Sequence, residues 1–229
     1  MVQHHDSTTQ SRVSDTGSAS GSALRVCAAL FRWSGTALET ATYPNGQLPC
    51  DEPHPDESLE QTAERIIRDS AMVPAQYVEQ LYTFSRSAND EREIVISYLG
   101  LFSPETFSNA DSGNLLWTNA SSTHLADEID RMVLEYAYIR LRAKLGYTNI
   151  AFNLVPSTFT LTELQLAYEA ILGQPMDKRN FRRRMIASGI LTKTNETRRE
   201  GSHRPAALYR FSRQDDHTAY LTPPWQSET

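Results

Sequence analysis

The first half of the chain contains four apolar runs that are typical of β-strands. Valine, isoleucine and aromatic residues are frequent in these runs, and polar segments or turn residues such as Gly35 separate them. We expect strands at residues 23–33, 37–43, 77–84 and 93–102. The polar segment 85–92 predicts that the last two strands form a hairpin.

Two further segments repeat apolar residues every three or four positions, which is the pattern of an amphipathic helix. The first helix is expected to open at residues 56–58 and to end at Pro74, and its apolar stripe is Leu59, Ala63, Ile66 and Ile67. The second helix is predicted over residues 125–145. It suits a connector between two domains that also offers a dimer surface, and it equally suits a helix that packs on its own domain.

The C-terminal third follows the order helix, short turn, helix, strand and strand. Thr160 and Glu163 have the spacing of a capping box at the start of the first helix, which Gly173 ends. Asp177 is expected to cap the second helix, and Gly189 closes it. Two helices joined by a short turn and followed by a β-hairpin predict a winged helix-turn-helix.

The second of these helices has an apolar face and a basic face. On a helical wheel Phe181 and Met185 point one way, whereas Arg179, Asn180 and Arg183 point the other way. Arginine reads guanine and asparagine reads adenine in the major groove, and the remaining cations suit phosphates or the minor groove. The predicted DNA-binding residues are Lys178, Arg179, Asn180, Arg182, Arg183, Arg184, Lys193, Arg198, Arg199 and Arg204.

Charge is distributed very unevenly along the 229 residues. The whole chain has a formal net charge of −6, but the segment 178–213 has +9 and the remaining residues have −15. Such asymmetry is typical of a nucleic-acid-binding module joined to another domain. Charge alone describes a solvated basic surface equally well. The helix–turn–helix pattern with a basic hairpin favours double-stranded DNA as the partner.

Composition limits the other function classes. No segment reaches the ~20 apolar residues that a membrane span needs. Two cysteines in a chain of this size predict no disulfide framework, and Cys27 is expected to be simply buried in an apolar run. The six histidines have no zinc-binding spacing, so we expect neither a metal nor a cofactor. A cytoplasmic, nucleoid-associated protein is the simplest expectation.

Three C-terminal segments, at residues 159–164, 171–183 and 204–211, resemble the Nudix-related transcriptional regulators of NAD metabolism, the NrtR family. The resemblance implies an α+β fold: an N-terminal Nudix-like α/β/α sandwich followed by a C-terminal winged helix-turn-helix. It further implies a homodimer on a palindromic operator that represses genes of NAD biosynthesis or salvage and senses ADP-ribose or an NAD-related nucleotide. The expected domains are a disordered tail (1–22), a sensor domain with its connecting helix (23–145), a winged helix (146–213) and a C-terminal tail (214–229).

The same resemblance implies a Nudix signature at residues 51–73. Glu57 and Arg65 match that signature and are expected to form a structural ion pair. Ile66 and Ser70 replace carboxylates that hold divalent metals in active Nudix enzymes, so no catalytic residue is expected. An active hydrolase of ADP-ribose-type nucleotides with an accessory DNA-binding domain is the alternative. A regulator that responds to a protein partner or to modification is another.

The family's basic loop and its preceding strand indicate where an effector would bind. The strand residues 79–84 match the family, whereas the loop after them is altered. Arginines suit a pyrophosphate and aromatic rings suit a base. The expected effector-binding residues are Tyr82, Phe84, Arg86 and Arg92.

Overall fold

The computed structural model describes residues 22–88, 91–107, 113–199 and 205–212. The elements of the first domain are β1 (Ser22–Trp33), β2 (Leu38–Thr42), β3 (Cys50–Asp51), α1 (Leu59–Ala71), β4 (Tyr77–Ala88), β5 (Glu91–Phe102), β6 (Leu116–Asn119) and α2 (Glu128–Leu145). Those of the second domain are α3 (Leu161–Leu172), α4 (Lys178–Ala187), β7 (Leu191–Arg198) and β8 (Ala206–Phe211).

The first domain is a mixed sheet with a helix on each face. The strand order is β4-β5-β1-β2-β6, and β3 pairs with Val26 and Cys27 in the middle of β1. The strands β1 and β5 are parallel, and their other neighbours are antiparallel. Val26 and Leu30 of β1 pack in the same cluster as α1, whereas Cys27 and Phe31 pack in the cluster of α2. Since side chains alternate between the faces of a strand, this central strand is buried on both faces. The predicted α/β/α sandwich is therefore confirmed.

Local capping sets the helix boundaries of this domain. Ser58 forms a capping box with Gln61 at the start of α1. The second helix begins at Glu128 and not at Leu125 as predicted, because the side chain of Asp127 accepts hydrogen bonds from the backbone N–H groups of Ile129 and Asp130.

The second domain is a winged helix, as predicted. The capping box of Thr160 and Glu163 is present, and Gly173 ends α3 in a left-handed conformation with φ of 70°. The strands β7 and β8 form an antiparallel hairpin, and Phe159 bridges to Tyr209 as a short third strand. One hydrophobic cluster runs from the sheet through α2 into this domain. Packing therefore couples the two domains directly.

The strands differ in extent from the predicted ones. The hairpin strands β4 and β5 extend into the segment predicted as their connection. Similarly, β7 extends into residues 194–205, which the sequence predicts as the loop of the wing. Ser22, which was expected in the N-terminal tail, begins β1. The sequence also predicted neither β3 nor β6. Backbone pairing needs no apolar side chains at an edge or a hairpin tip, so hydrophobic pattern underestimates such strands.

The cysteines contradict the sequence-based expectation. Cys27 and Cys50 form a disulfide bond between neighbouring strands, whereas no disulfide was predicted. The bond depends on the path of the segment between β2 and β3, which places Cys50 opposite Cys27, and pattern alone does not reveal that path. Among the described residues, none of the helices combines the length and apolar character that crossing a bilayer demands.

Candidate nucleic-acid interface and sensor-domain site

Helix α4 is anchored on its inner face and exposed on its outer face. The side chain of Asp177 accepts a hydrogen bond of 2.7 Å from the backbone N–H of Asn180, which fixes the start of the helix. Phe181 and Met185 are buried, and the ring of Phe181 meets that of Tyr168 edge-on at 5.3 Å. This anchoring holds the outer face in one orientation.

The outer face of α4 presents the residues predicted to read bases. Lys178, Arg179 and Arg183 are exposed, and Asn180 is half-buried beside them. The Nη2 atom of Arg183 donates a hydrogen bond of 3.1 Å to Oδ1 of Asn180. The arginine and the asparagine are thus held as a pair before any ligand arrives.

Two other arginines of α4 lie closer to the rest of the winged helix. Nη2 of Arg182 donates a hydrogen bond of 3.0 Å to Oγ1 of Thr162, at the start of α3. Arg184 is half-buried. Both were predicted as flanking DNA contacts. The geometry gives Arg182 a role in joining the two helices.

The wing carries a structural arginine as well as exposed cations. Arg198 is bonded through Nη1 to Oε1 of Glu163 at 2.6 Å and through Nη2 to the carbonyl of Thr158 at 3.2 Å. Lys193 and Arg199 are exposed on the same hairpin. Arg204, also predicted to bind DNA, lies outside the described residues.

One further basic residue is exposed on the wing; it was counted in the charge but was not among the predicted DNA-binding residues. Arg210 is exposed on β8, opposite Thr192 and one position from the pair of Lys193 with Tyr209. A basic residue in the middle of the second wing strand was the signal that could have identified it.

In the first domain Arg65 forms the centre of an ion-pair cluster. Its Nε lies 2.8 Å from Oε1 of Glu57, its Nη1 lies 2.6 Å from Oδ2 of Asp51, and its Nη2 donates to the carbonyl of Glu52. The hydrogen bond from Arg65 lowers the pKa of Glu57 to about 2 and also lowers the pKa of Asp51. Both carboxylates therefore already bind the guanidinium group of Arg65.

The positions that hold metal-binding carboxylates in the Nudix signature have other environments here. Ile66 is buried in the core beneath α1, and Oγ of Ser70 lies 2.8 Å from the hydroxyl of Tyr43. Asp69 is exposed beside Arg68. Magnesium prefers several hard oxygen ligands in octahedral order. This donor set does not fit such an ion.

Three of the four residues predicted to bind an effector lie where β4 faces α2. Tyr82 is exposed and contacts Tyr136 of α2, whereas Phe84 is buried behind it. Arg86 is bonded to Glu93 at 2.6 Å and to Asp127, the cap of α2, at 2.8 Å. Arg92 is exposed. The structure thus brings three of the four residues to the start and middle of α2.

A groove that sequence analysis did not predict lies where the two domains meet. Its volume is about 740 Å³. Lys144, at the end of α2, lies 2.6 Å from Oε2 of Glu79 and donates to the hydroxyl of Tyr77 on one side of it. Phe152 and Phe211 stack at 4.5 Å on the other side. The end of α2 therefore contacts the first domain while it faces the base of the wing.

A family model and a known repressor each match part of this chain. Residues 151–211 match the family model of the NrtR DNA-binding winged helix domain. The chain is 35% identical over 168 residues to the ADPR responsive transcriptional repressor NtrR of Acinetobacter baylyi, a match that covers 70% of this chain and 66% of that relative, just under two thirds.

Solved structures match both domains together. The crystal structure of Shewanella oneidensis NrtR complexed with a 27mer DNA superimposes with a TM-score of 0.72 at 27% identity, covering 86% of this chain and 96% of that one. A MutT/nudix family protein from Enterococcus faecalis has a TM-score of 0.61 at 17% identity, with coverage of 91% and 89%. The latter likeness concerns the fold alone.

Proposed function

This chain belongs to the NrtR family, and from that membership we propose that it is a DNA-binding repressor of NAD biosynthesis or salvage genes. The observation that carries the proposal is the outer face of α4, where exposed cations stand on a helix anchored by buried Phe181 and Met185. The relative solved with a 27mer DNA matches this chain over both domains and supports the same role.

The interface divides into base-reading and phosphate-binding residues. Arg179, Asn180 and Arg183 stand at the centre of the exposed face and would reach base edges in the major groove. The surrounding cations Lys178, Lys193, Arg199 and Arg210 would meet phosphates. Arg182 and Arg198 act chiefly by holding the helix and the wing in place.

Operator recognition would use two copies of the chain. Winged helices of a dimer contact half-sites about one helical turn, roughly 34 Å, apart on a palindrome. Met132 and Ile139 are large apolar side chains exposed on α2. They make the outer face of α2 our candidate for the dimer surface. Sedimentation of the protein with and without a palindromic duplex tests this stoichiometry.

We propose that the first domain is a nucleotide sensor without hydrolase activity. The name of the Acinetobacter baylyi relative describes it as ADPR responsive, which supports an ADP-ribose effector here. The acids at Asp51 and Glu57 are held by Arg65, and the positions of Ile66 and Ser70 supply no carboxylate. Magnesium-dependent turnover of ADP-ribose by the purified protein would contradict this part of the proposal.

Binding of an effector would reach the DNA-binding domain through α2. Tyr82 and Arg86 contact this helix near its middle and its start, and Lys144 ends it at the groove between the domains. A ligand shifts such an equilibrium only if it binds the two states with different affinity.

The test is a gel shift on the protein's own upstream region and on promoters of NAD genes, with and without ADP-ribose. We expect a specific complex that ADP-ribose weakens. Absence of a complex with any of these duplexes would contradict the repressor assignment. A complex that ADP-ribose, NAD and related nucleotides all leave unchanged would contradict only the sensor assignment.

A further inference from the structure

The disulfide between Cys27 and Cys50 lies at the junction of the sheet with α2. The two residues are direct cross-strand partners on β1 and β3. Cys27 is fully buried, whereas Cys50 is only partly buried. One sulfur of the pair is therefore closer to solvent than the other.

A buried carboxyl group accompanies the disulfide. Asp130, in the first turn of α2, is 2% exposed, and its Oδ2 accepts a hydrogen bond of 3.0 Å from the backbone N–H of Leu48. Its Oδ1 has no hydrogen-bond partner among the described residues. A carboxyl oxygen of Asp130 and the two sulfurs lie within 4.8 Å of one another.

The oxidation state of the two cysteines decides whether a hydrogen-bond donor lies beside the carboxyl group of Asp130. A buried polar atom without a partner is costly, and native structures rarely retain one without a reason. A disulfide has no hydrogen to donate, but a thiol at the same place has an S–H group. Reduction of the bond would therefore supply a donor beside the carboxyl group.

We propose that Cys27, Cys50 and Asp130 form a redox-responsive dithiol–disulfide site in the sensor domain, whose state is transmitted by α2. This step rests partly on the DNA-binding role proposed above. A DNA-binding protein works where cellular thiols are kept reduced, and disulfides in such compartments are usually transient, catalytic or redox-sensing. The reductant is a small thiol of the glutathione class.

The exchange proceeds in two balanced steps. The thiolate of a first small thiol attacks the partly exposed sulfur of Cys50; the S–S bond breaks, and the Cys27 sulfur leaves with the bonding electrons and takes the proton of Asp130. A second small thiolate then attacks the small-thiol sulfur of the mixed disulfide and releases Cys50 as a thiolate. The two protons lost by the small thiols are taken up by Cys50 and Asp130. Two small thiols are thus oxidised to one disulfide, and the protein gains two thiols.

Asp130 suits the part of proton donor because burial raises the pKa of its carboxyl group. Asp130 is also the residue through which the change would be transmitted. It belongs to α2, which packs against β1 and β4 and, further along, against α3 of the winged helix.

The experiment equilibrates the full-length protein with mixtures of reduced and oxidised glutathione, traps free thiols with an alkylating reagent and counts them by mass spectrometry. We expect both cysteines to change together, as one two-electron couple. Free thiols at every ratio, a bond that no ratio reduces, or zinc retained in place of free thiols would each overturn the proposal.

Asp130→Asn tests the proton donor. An amide keeps an oxygen for the N–H of Leu48 but has no acidic proton, so reduction should slow by about tenfold and lose part of its pH dependence. Asp69→Asn, on exposed α1 surface, is the matched control. If Asp130→Asn kept the wild-type rate of reduction and pH profile, the carboxyl group of Asp130 would have no part in the reaction. The thiol count on the wild-type protein decides the disulfide chemistry even if this variant does not fold.

Gel shifts of the fully reduced and the fully oxidised wild type, the two redox extremes, test the link to α2. The variant Cys50→Ser, which cannot form the disulfide, is measured beside them. We expect the two extremes to differ in operator affinity and Cys50→Ser to match the reduced protein. Equal affinity at both extremes would overturn the coupling and leave the repressor assignment intact. No binding in any state would instead contradict the repressor assignment, and the thiol count would still decide the redox site.

Discussion

Arg198 of the wing donates a hydrogen bond of 2.6 Å to Glu163 in the first turn of α3. The residue therefore ties the hairpin to the helix–turn–helix while its other amino group reaches the carbonyl of Thr158. An arginine in a basic wing is ordinarily interpreted as a phosphate contact. The geometry indicates that this one positions the wing.

The first prediction separates positioning from charge. Glu163→Gln keeps the capping box with Thr160, because glutamine serves there as well as glutamate, but removes the ion pair with Arg198. If Arg198 positions the wing, operator binding should weaken by about 1 kcal/mol, roughly fivefold. Removal of a negative charge near DNA would by itself strengthen binding. Titration of the wild type and of Glu163→Gln by fluorescence anisotropy distinguishes the two effects, and tighter binding by Glu163→Gln would contradict the positioning role.

The second prediction concerns the base-reading face of α4. Arg183→Ala removes the exposed guanidinium that is paired with Asn180 and should cost about 1–3 kcal/mol on the operator while relaxing base preference at one position. Lys193→Ala should weaken all duplexes alike and flatten the dependence on salt. Competition binding with single-base operator variants at several salt concentrations measures both effects.

Arg68→Ala is the control for that experiment. It removes a cation that is exposed in the first domain beside Asp69, so the net charge changes equally. Operator binding by this variant should match the wild type. If Arg183→Ala bound single-base variants with the wild-type order of preference, the recognition helix would be wrongly assigned.

Features that depend on residues close together in the sequence were predicted, whereas those that depend on distant residues were not. Thr160 with Glu163 and the apolar pair of Phe181 with Met185 are local, so capping spacing and helical periodicity predicted them. The role of Arg198 depends on an acid 35 positions away. A count of basic residues does not distinguish an arginine with such a partner from one that faces solvent.

The first domain illustrates the same limit. The helix α1 was predicted from its apolar stripe, which is a local pattern. The disulfide and the burial of Asp130 depend on how the segment before β3 crosses β1 and the start of α2. These contacts are long-range, and only the assembled sheet reveals them.

The third prediction concerns backbone strain after α1. Met72 caps the helix with φ of 59°, the left-handed region that costs a side chain about 1 kcal/mol or more. The Nudix signature has glycine at this position. Met72→Gly should raise the free energy of unfolding by about 0.5–1 kcal/mol, since the residue is exposed and little packing is lost. Urea denaturation measures the change.

Met72→Ala is the matched control for the third prediction. Alanine removes the same exposed side chain but keeps the Cβ atom that causes the strain. It should therefore leave stability unchanged or lower it slightly. Equal gains from alanine and glycine would show that the side chain, and not the backbone, is unfavourable at this site.

The last prediction follows from the ion pair of Glu57 with Arg65. The hydrogen bond from Arg65 lowers the pKa of Glu57 from its ordinary 4.5 to about 2. A carboxyl group whose pKa is lower in the folded state contributes stability above its unfolded pKa, and it loses this contribution as the pH falls through the folded pKa. The contribution should be complete above about pH 5 and should disappear as the pH falls from 4.5 towards 2.

Urea denaturation of wild type and Glu57→Gln across this pH range measures that contribution. The wild type should be the more stable at pH 6, and the difference between the two should shrink steadily below pH 4.5, because protonated Glu57 and glutamine both lack the charge that Arg65 binds. Glu64→Gln removes one negative charge from α1, the helix that begins two residues after Glu57, and controls for the change in net charge. A constant difference between wild type and Glu57→Gln from pH 6 to pH 3 would mean that the ion pair does not stabilise the fold. The pairing of Glu57 with Arg65 would then need an explanation other than the free energy of unfolding.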